Sequence, residues 1–218
     1  MTKIWFANNL FILIPDGSIY WPIKKTLILG DLHLEKSSFL AKLGNFLPPY
    51  DSFETLSKLE RTLQLLDVKK VILLGDIFHD KLGLKRLSEK SFSNLKYICK
   101  KFQVIWIQGN HDGDLVPENV SIKKNYKFDN IMFNHISNEK SSYEISAHYH
   151  PKVSFNLRGR KISKPCFLVD EKKIIIPSYG SLTGGLDVKN KSFIKKFSNN
   201  FSIYISNNKN IFLINDNK

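Results

Sequence analysis

All six histidines of the chain, two aspartates and an asparagine lie in short polar segments, most of which follow apolar runs. These residues are Asp31, His33, Asp76, His79, Asn110, His111, His135, His148 and His150. Asp31 and His33 are two positions apart, so an extended segment can direct both side chains at one ion. His148 and His150 can each give one imidazole to a different ion. Imidazole, carboxylate and amide ligands suit Mn²⁺, Fe or Zn²⁺, so we predict a site for two divalent metal ions.

The remaining residues of the pattern suit different tasks at such a site. Asp76 is a lone carboxylate whose two oxygens can bridge two cations. Asn110 offers a neutral carbonyl oxygen as a ligand. His111, its neighbour in the sequence, is expected to point in a different direction. Two ions about 3.5–4 Å apart can share a hydroxide and clamp the attacking and leaving oxygens of a phosphate ester. The predicted activity is therefore phosphoester hydrolysis by a metal-bridging hydroxide.

The cysteine content excludes a zinc site built only from thiolates. The chain has two cysteines, Cys99 and Cys166, far apart and outside any CxxC pattern. We expect both to be reduced and partly buried.

The polar segments follow apolar runs of a length typical of buried sheet strands. These runs are Leu27–Leu29, Val71–Leu74, Val104–Ile107 and Ile131–Phe133. Between them, apolar residues repeat at helical spacing from Phe53 to Leu66, with Asp51 and Glu54 as a predicted capping box. A second helix is predicted to begin at Ser88 and to place Phe92, Leu95, Ile98 and Phe102 inward. This alternation predicts an α/β fold in which each motif lies just past the carboxyl end of a strand.

The last third of the chain has short apolar segments separated by turn-rich polar stretches such as Asn199-Asn200 and Asn207-Asn208. The segments are Cys166–Val169, Ile174–Ile176, Phe201–Ile205 and Ile211–Ile214. They predict antiparallel strands and hairpins. We predict a single domain over residues 1–218, although the length also permits two domains of about 100 residues.

The net charge of +13 and the pI near 9.6 favour phosphate-bearing partners such as nucleic acid. A genome rich in A and T would also enrich lysine, so the charge supports a polyanionic substrate without establishing one.

No apolar run approaches the ~20 residues that a membrane helix requires. The early run Leu10–Ile14 ends at Pro15-Asp16-Gly17, so a signal peptide is not expected. We predict a cytoplasmic protein that does not contact membranes, and the oligomeric state is left open.

Four motifs resemble those of the calcineurin-like metallophosphoesterase superfamily: Gly30-Asp31-Leu32-His33, Gly75-Asp76, Gly109-Asn110-His111-Asp112 and His148-Tyr149-His150. The resemblance implies an α/β (α+β) sandwich of two facing mixed sheets flanked by helices. It also implies two metal sites, one formed by Asp31, His33, Asp76 and His150, the other by Asp76, Asn110, His135 and His148. It implies that His111 is unligated and assists the leaving group or binds the phosphate, with Asp112 or Asp80 to orient it.

Two positions depart from the superfamily's usual pattern. Ala147 stands where the last motif usually opens with glycine, and His79 stands where the second motif more often carries aspartate. The Gly75–His79 segment is similar to that of repair nucleases of the SbcD class, which favours DNA as substrate. We therefore count His79 among the candidate catalytic residues, with packing beside the metals as the alternative.

A narrower resemblance covers nearly the whole chain. Residues 30–36, 47–51, 158–167, 177–180 and 183–185 resemble the bacterial ligase-associated DNA damage response endonucleases (PdeM). This resemblance implies a Mn²⁺-dependent nuclease that works with an ATP-dependent DNA ligase and companion repair enzymes. Lys36, Arg158 and Arg160 lie beside the metal motifs in the sequence and are predicted to contact substrate phosphates.

Two other functions are compatible with these residues. A phosphatase or a phosphodiesterase acting on small nucleotides would use the same metal site, because fold and metals do not choose the substrate. A non-catalytic scaffold would keep the fold, but such a scaffold is expected to lose metal ligands, and this chain has the full set.

Overall fold

The computed structural model of the protein describes residues 1–113, 117–118, 120–138, 141–189, 201–207 and 209–214. The helices are α1 (Lys36–Lys42), α2 (Asp51–Leu65), α3 (Gly83–Arg86) and α4 (Glu89–Lys101), with a 3-10 turn at Pro22–Lys24. The strands are β1 (Thr2–Phe6), β2 (Asn9–Leu13), β3 (Ile19–Trp21), β4 (Thr26–Leu29), β5 (Lys70–Leu73), β6 (Gln103–Ile107), β7 (Val120–Lys123), β8 (Tyr126–Phe128), β9 (Ile131–Asn134), β10 (Glu144–Ser146), β11 (Lys152–Leu157), β12 (Arg160–Val169), β13 (Lys173–Ile175), β14 (Ser202–Ser206) and β15 (Ile211–Ile214).

The first sheet contains β1 to β7 in sequence order. Strands β1 to β4 pair antiparallel, and β4 to β7 pair parallel. The predicted strands at 27–29, 71–74 and 104–107 are confirmed as β4, β5 and β6. Because these three strands are parallel, their carboxyl ends lie at one edge of the sheet, and the three polar motifs that follow them meet there.

The second sheet has the order β15-β14-β12-β13-β10-β9-β8, and β11 pairs with β12 in a hairpin. The predicted antiparallel pairing is confirmed for β12 with β13 and β14, and for β14 with β15. It does not extend to the whole region, because β10 runs parallel to both β9 and β13. The predicted turn at Asn199-Asn200 lies outside the described residues.

The two sheets face each other across an apolar layer. Alternate side chains of the first sheet, such as Ile28, Ile72 and Ile105, pack in one cluster with Phe133 and Phe167 of the second. The intervening side chains, such as Leu27, Val71 and Trp106, pack against Leu56, Leu59, Leu95 and Ile98 of α2 and α4. The central strands are thus buried on both faces, which explains why they read as continuous apolar runs. The predicted fold class, two mixed sheets flanked by helices, is confirmed.

The helix boundaries correct two sequence predictions. Asp51 does not form a capping box; its carboxylate accepts hydrogen bonds from the amide and hydroxyl of Ser37, which joins α1 to α2. Ser88 does cap α4, accepting from the amide of Ser91. Phe92 was predicted to point inward but is 39% exposed, because it lies in the first turn of the helix, to one side of the buried stripe that includes Leu95 and Ile98.

Both cysteines are free and buried, as predicted, and burial raises the pKa of the Cys99 thiol to about 11. None of the helices in the described ranges combines the length and the apolar character needed to span a membrane.

Candidate metal centre

The polar residues at the strand ends converge at one edge of the sandwich. Asp31 and His33 follow β4, Asp76 follows β5, and Asn110 follows β6 in the first sheet. In the second sheet the histidines follow β9 and β10, and these are His135, His148 and His150. The two groups are joined directly, because the amide of His148 donates to Asp31 Oδ2 at 2.8 Å.

Two trios of side chains have their ligand atoms within 4.8 Å of one another: Asp31 with His33 and His150, and Asp76 with His135 and His148. In the first trio, His150 Nε2 lies 3.3 Å from both His33 Nε2 and Asp31 Oδ1. Ligands bonded to one ion at roughly 2.1 Å lie about 3–3.5 Å apart. The first trio therefore has the spacing of ligands around a single ion.

The second trio has the same spacing. His135 Nε2 lies 3.3 Å from Asp76 Oδ2 and 3.1 Å from His148 Nδ1. His135 Nδ1 donates to the Leu74 carbonyl at 2.7 Å, so its Nε2 is the nitrogen left free for a metal.

A buried carboxylate oxygen supports the fit of a cation to this site. Asp31 is fully buried, yet its Oδ1 has no hydrogen-bond partner among the described residues. An unsatisfied buried carboxylate oxygen is costly unless a cation neutralises it. Oδ1 faces His150 Nε2, so the residues present fit a divalent metal ion.

Two of the ligand imidazoles, those of His33 and His148, are kept in the neutral form that binds metals. Burial lowers the pKa of His33 to about 3, although Asp31 opposes the shift. Burial also lowers the pKa of His148, and His135 lowers it further. Burial opposes protonation of His135 as well, but its hydrogen bond to Asp76 and the charge of Asp31 raise its pKa overall. Burial raises the pKa of Asp76, but hydrogen bonding and charge from His135 outweigh it and bring the value to about 2. Neutral imidazoles and an ionised carboxylate are the protonation states of metal ligands.

The backbone at the site is left-handed at residues other than glycine. The predicted ligands with this conformation have φ between 44° and 70°, and they are Asp31, His33, Asp76, His148 and His150. Such residues cost roughly 1–3 kcal/mol each and persist where the surroundings hold them. Here the amide of Asp31 donates to the Gly75 carbonyl, and the amide of His33 donates to the Asp76 carbonyl.

Ala147, which replaces the usual glycine, is buried and is not left-handed, so its methyl group causes no backbone strain.

Gly75 is required by both its backbone angle and its neighbour. Its φ is +84°, and a Cβ there would lie 2.6 Å from His135 Nδ1. We expect Gly75→Ala to displace His135 and to reduce metal binding in addition to the backbone cost of about 1–2 kcal/mol. Metal analysis and thermal unfolding would measure the two effects.

Gly44 provides the matched control for that substitution. Its φ is +83°, and a Cβ there would have nothing within 4 Å. Gly44→Ala should therefore show the backbone cost and keep its metal. Equal metal content in the two variants would contradict the role given to Gly75.

His111 lies at the open side of the centre with His79 beneath it. The His111 amide donates to Asp76 Oδ1 at 2.9 Å, and its side chain is 45% exposed. His111 Nδ1 donates to the His79 carbonyl at 2.9 Å, which leaves Nε2 directed toward the site, 4.0 Å from Asp76 Oδ2. The His79 ring stacks on the His111 ring, with centroids 5.5 Å apart, and lies edge-on to His33.

The contacts of Asp112 and Asp80 differ from those predicted. The buried carboxylate of Asp112 accepts from the amides of Ile77, Phe78 and Gly109 and from Trp106 Nε1. Asp80 pairs with Arg86. His111 is therefore oriented by the His79 carbonyl, and Asp112 instead holds the loop after β5 against the loop after β6. Asn110 lies between Gly109 and His111, so these bonds fix its backbone beside Asp76.

The three predicted substrate-binding cations lie at different distances from the centre. Burial lowers the pKa of His79, and Lys36, which begins α1, lies near enough for its charge to lower the pKa of that imidazole further. Arg158 and Arg160 are exposed at the tip of the β11–β12 hairpin. Since β11 has six residues at about 3.3 Å each, the tip lies roughly 20 Å along the strand from its start near His150. The structure thus brings Lys36 to the site and places both arginines on a projecting hairpin.

The sandwich and its paired ligand trios define a metal-dependent phosphoesterase class of hydrolase. The sequence profile of the calcineurin-like phosphoesterases matches residues 24–206, and the chain belongs to this family. Members of this family use two divalent metals, in agreement with the two trios.

Solved structures with a related fold include one that spans the whole chain. The crystal structure of the Pseudomonas putida nuclease MPE is similar with a TM-score of 0.78 and 22% identity, covering 98% of this chain and 99% of that chain. The vacuolar protein sorting 29 protein of Cryptosporidium parvum has a TM-score of 0.36 and 14% identity, covering 87% of this chain and 95% of its own. No curated protein sequence matches the chain.

Proposed function

We propose that the protein is a dinuclear-metal phosphodiesterase that cleaves DNA. The observation that carries the proposal is the pair of ligand trios at one edge of the sandwich, with Asp31 Oδ1 buried and without a hydrogen-bond partner among the described residues. When bound, two divalent ions would lower the pKa of a shared water molecule and neutralise charge on the phosphate. We assign Mn²⁺ as the physiological metal, as the resemblance to the ligase-associated endonucleases implies.

We assign the ligands by the geometry of the two trios. Asp31, His33 and His150 would hold one ion, and Asp76, His135 and His148 the other. The superfamily resemblance adds Asp76 as a ligand of the first ion and Asn110 as a ligand of the second. His111 contacts the reacting phosphate or protonates the leaving oxygen through Nε2, because its Nδ1 is already bonded to the His79 carbonyl. His79 positions His111 by that bond and by stacking.

DNA as substrate is supported by the form and charge of the surface around the site. Asn110 and His111 are exposed, so a polymer can reach the centre. The net charge is +13, and the basic hairpin tip at Arg158 and Arg160 lies within reach of a phosphate backbone that extends from the site. The fold likeness to a protein described as a nuclease points the same way. We place the enzyme in cytoplasmic DNA repair, acting with an ATP-dependent ligase and companion enzymes.

The test is cleavage of labelled single-stranded, nicked and duplex DNA by purified protein with Mn²⁺. A monoester and a cyclic nucleotide are assayed in parallel, because a phosphatase or small-nucleotide phosphodiesterase would use the same centre. We expect rates on DNA to exceed those on both small substrates. Faster turnover of a small substrate than of every DNA would reject the proposal in favour of that alternative.

His111→Ala should lower kcat by about 10²–10⁴-fold. The side chain is 45% exposed, and no predicted metal assignment depends on it, so metal content and thermal stability should stay at the wild-type level. Steady-state kinetics on DNA and metal analysis would measure both. Loss of a metal ion from the variant would show that His111 is a ligand and would contradict its assignment. Adding free imidazole to the variant should restore part of the rate.

A further inference from the structure

A cleft next to the metal centre is lined by cations and hydroxyl groups. It lies between α2 and the segment 177–183 and has a volume of about 1020 Å³. Its polar lining includes Lys58, Arg61, Lys152, Thr55, Ser181 and Thr183. None of the predicted metal ligands lines it. The cleft is therefore a separate feature from the centre described above.

The cleft nevertheless begins at the edge of that centre. Gly180 lines the cleft, and its amide donates to the Asp31 carbonyl at 3.0 Å. Lys152, on the opposite side, is two residues beyond His150. One end of the cleft thus shares its backbone with the residues that hold the first ion.

The lining has two acidic residues, Asp16 and Glu54. Asp16 accepts hydrogen bonds from Ser18, Thr62 and Tyr179. Lys58 Nζ donates to the carbonyls of Asp16 and Tyr179, at 3.2 and 2.5 Å, and fixes a positive charge in the wall. Three cations, Lys58, Arg61 and Lys152, thus face two carboxylates in the lining, which leaves a formal net charge of +1.

Two further cations of the lining remain available to a ligand. Arg61, one helical turn beyond Lys58, is exposed, and Lys152 is half-buried. Neither pairs with a carboxylate within the described ranges. An unpaired arginine and lysine facing a groove are the groups that bind phosphates.

The cations continue from the cleft to the metal centre. Lys152 interacts electrostatically with Lys36, and Lys36 interacts with His79. His79 in turn contacts His33 and His111. Cations spaced along a groove in this way follow a nucleic-acid backbone rather than enclose a single small ligand.

We propose that this cleft binds the phosphates of the substrate strand on one side of the scissile bond, with Lys36 and Lys152 nearest the metals and Arg61 farther along. The inference rests on the proposed nuclease function, and it assigns to the protein a subsite that binds the nucleic-acid strand. It requires a substrate long enough to reach Arg61, so short diesters do not use it.

The experiment compares Arg61→Glu with Lys96→Glu. Both variants change the net charge by the same amount, and Lys96 is an exposed residue of α4 that does not line the cleft. We expect Arg61→Glu to raise KM for a labelled single-stranded oligonucleotide about tenfold and to leave hydrolysis of bis(p-nitrophenyl) phosphate unchanged. Lys96→Glu should change neither. Oligonucleotide binding in EDTA, followed by fluorescence anisotropy, should weaken in parallel.

Salt dependence gives a second measurement. Loss of one phosphate contact in Arg61→Ala should reduce the slope of log K against log salt by about 0.7 for a single strand. An unchanged oligonucleotide KM and slope, in a wild-type enzyme that cleaves DNA, would overturn the subsite and leave the nuclease intact. A change confined to inhibition by inorganic phosphate would assign the cleft to a free anion and would also overturn it. Failure of the wild type to cleave any DNA would instead reject the proposed function.

Discussion

Replacing Asp76 by alanine should lower kcat/KM on DNA by at least about a thousandfold, which corresponds to about 4 kcal/mol of barrier. Asp76 belongs to the second ligand trio and is proposed to be shared with the first ion. Its Oδ2 lies 3.3 Å from His135 Nε2, and its Oδ1 accepts from the His111 amide. The substitution therefore removes a shared ligand and also releases the loop that carries Asn110 and His111. No other described carboxylate contacts both a histidine of the second trio and the backbone of the loop that carries His111.

The measurement combines steady-state rates with metal content per chain, which should fall below two. Asp67→Ala is the control, because Asp67 is exposed and its ion pair with Lys25 lies on the surface. That variant should keep wild-type rates and two metals. An Asp76→Ala protein that still bound two ions and cleaved DNA at the normal rate would show that Asp76 is not the bridging ligand.

Asp112→Ala should destabilise the protein by roughly 3–4 kcal/mol. Its buried carboxylate accepts four hydrogen bonds at 2.8 to 3.2 Å, three from backbone amides and one from Trp106. Alanine would leave these buried donors without an acceptor and would create a cavity. For a chain of this size the melting temperature should fall by about 10 °C.

The loss should be seen by thermal and urea unfolding, with Asp129→Ala as the comparison. Asp129 is 45% exposed and pairs with Lys24, so its removal should cost no more than about 1 kcal/mol. We also expect Asp112→Ala to bind metal weakly, since Asp112 joins the loops that carry Asp76 and Asn110. Wild-type stability in this variant would return Asp112 to a purely catalytic role.

The convergence of the ligands could be predicted from the sequence because it follows from strand topology. Asp31 and Asp76 each follow a continuous apolar run, and parallel strands place such positions at one edge. His135 follows a run of the same kind, whereas His148 is assigned by the superfamily resemblance, which also places the second sheet against the first. Residues more than 100 positions apart could in this way be assigned to one site.

The internal connections of the site could not be predicted, because backbone atoms make most of them. The Leu74 carbonyl selects the free nitrogen of His135, and the His79 carbonyl orients His111. Every residue has a carbonyl, so its type does not reveal which one is used. Asp112 was assigned to His111 as its sequence neighbour, whereas the fold directs the carboxylate to amides 34 and 35 residues earlier.

The antiparallel pairing of β1 to β3 and the parallel position of β10 could not be predicted from the sequence either. Strand β10 has three residues, Glu144–Ser146, too few for a periodic pattern to register. The left-handed conformation at Asp31 and His148 leaves no mark in the sequence either, since glycine is the usual sign of it. Only the surrounding tertiary structure selects that conformation.

Both sheets supply ligands to the proposed metal ions. Metal binding and the stability of the folded sandwich are therefore expected to be thermodynamically linked. An ion held by Asp31 and His150 connects the first layer to the second, beside the apolar contact between them. A ligand that binds only the folded state stabilises it by about 4 kcal/mol at a thousand times its dissociation constant. The lifetime of the protein would then follow the concentration of free divalent metal around it, so that starvation for the metal removes the protein as well as its activity.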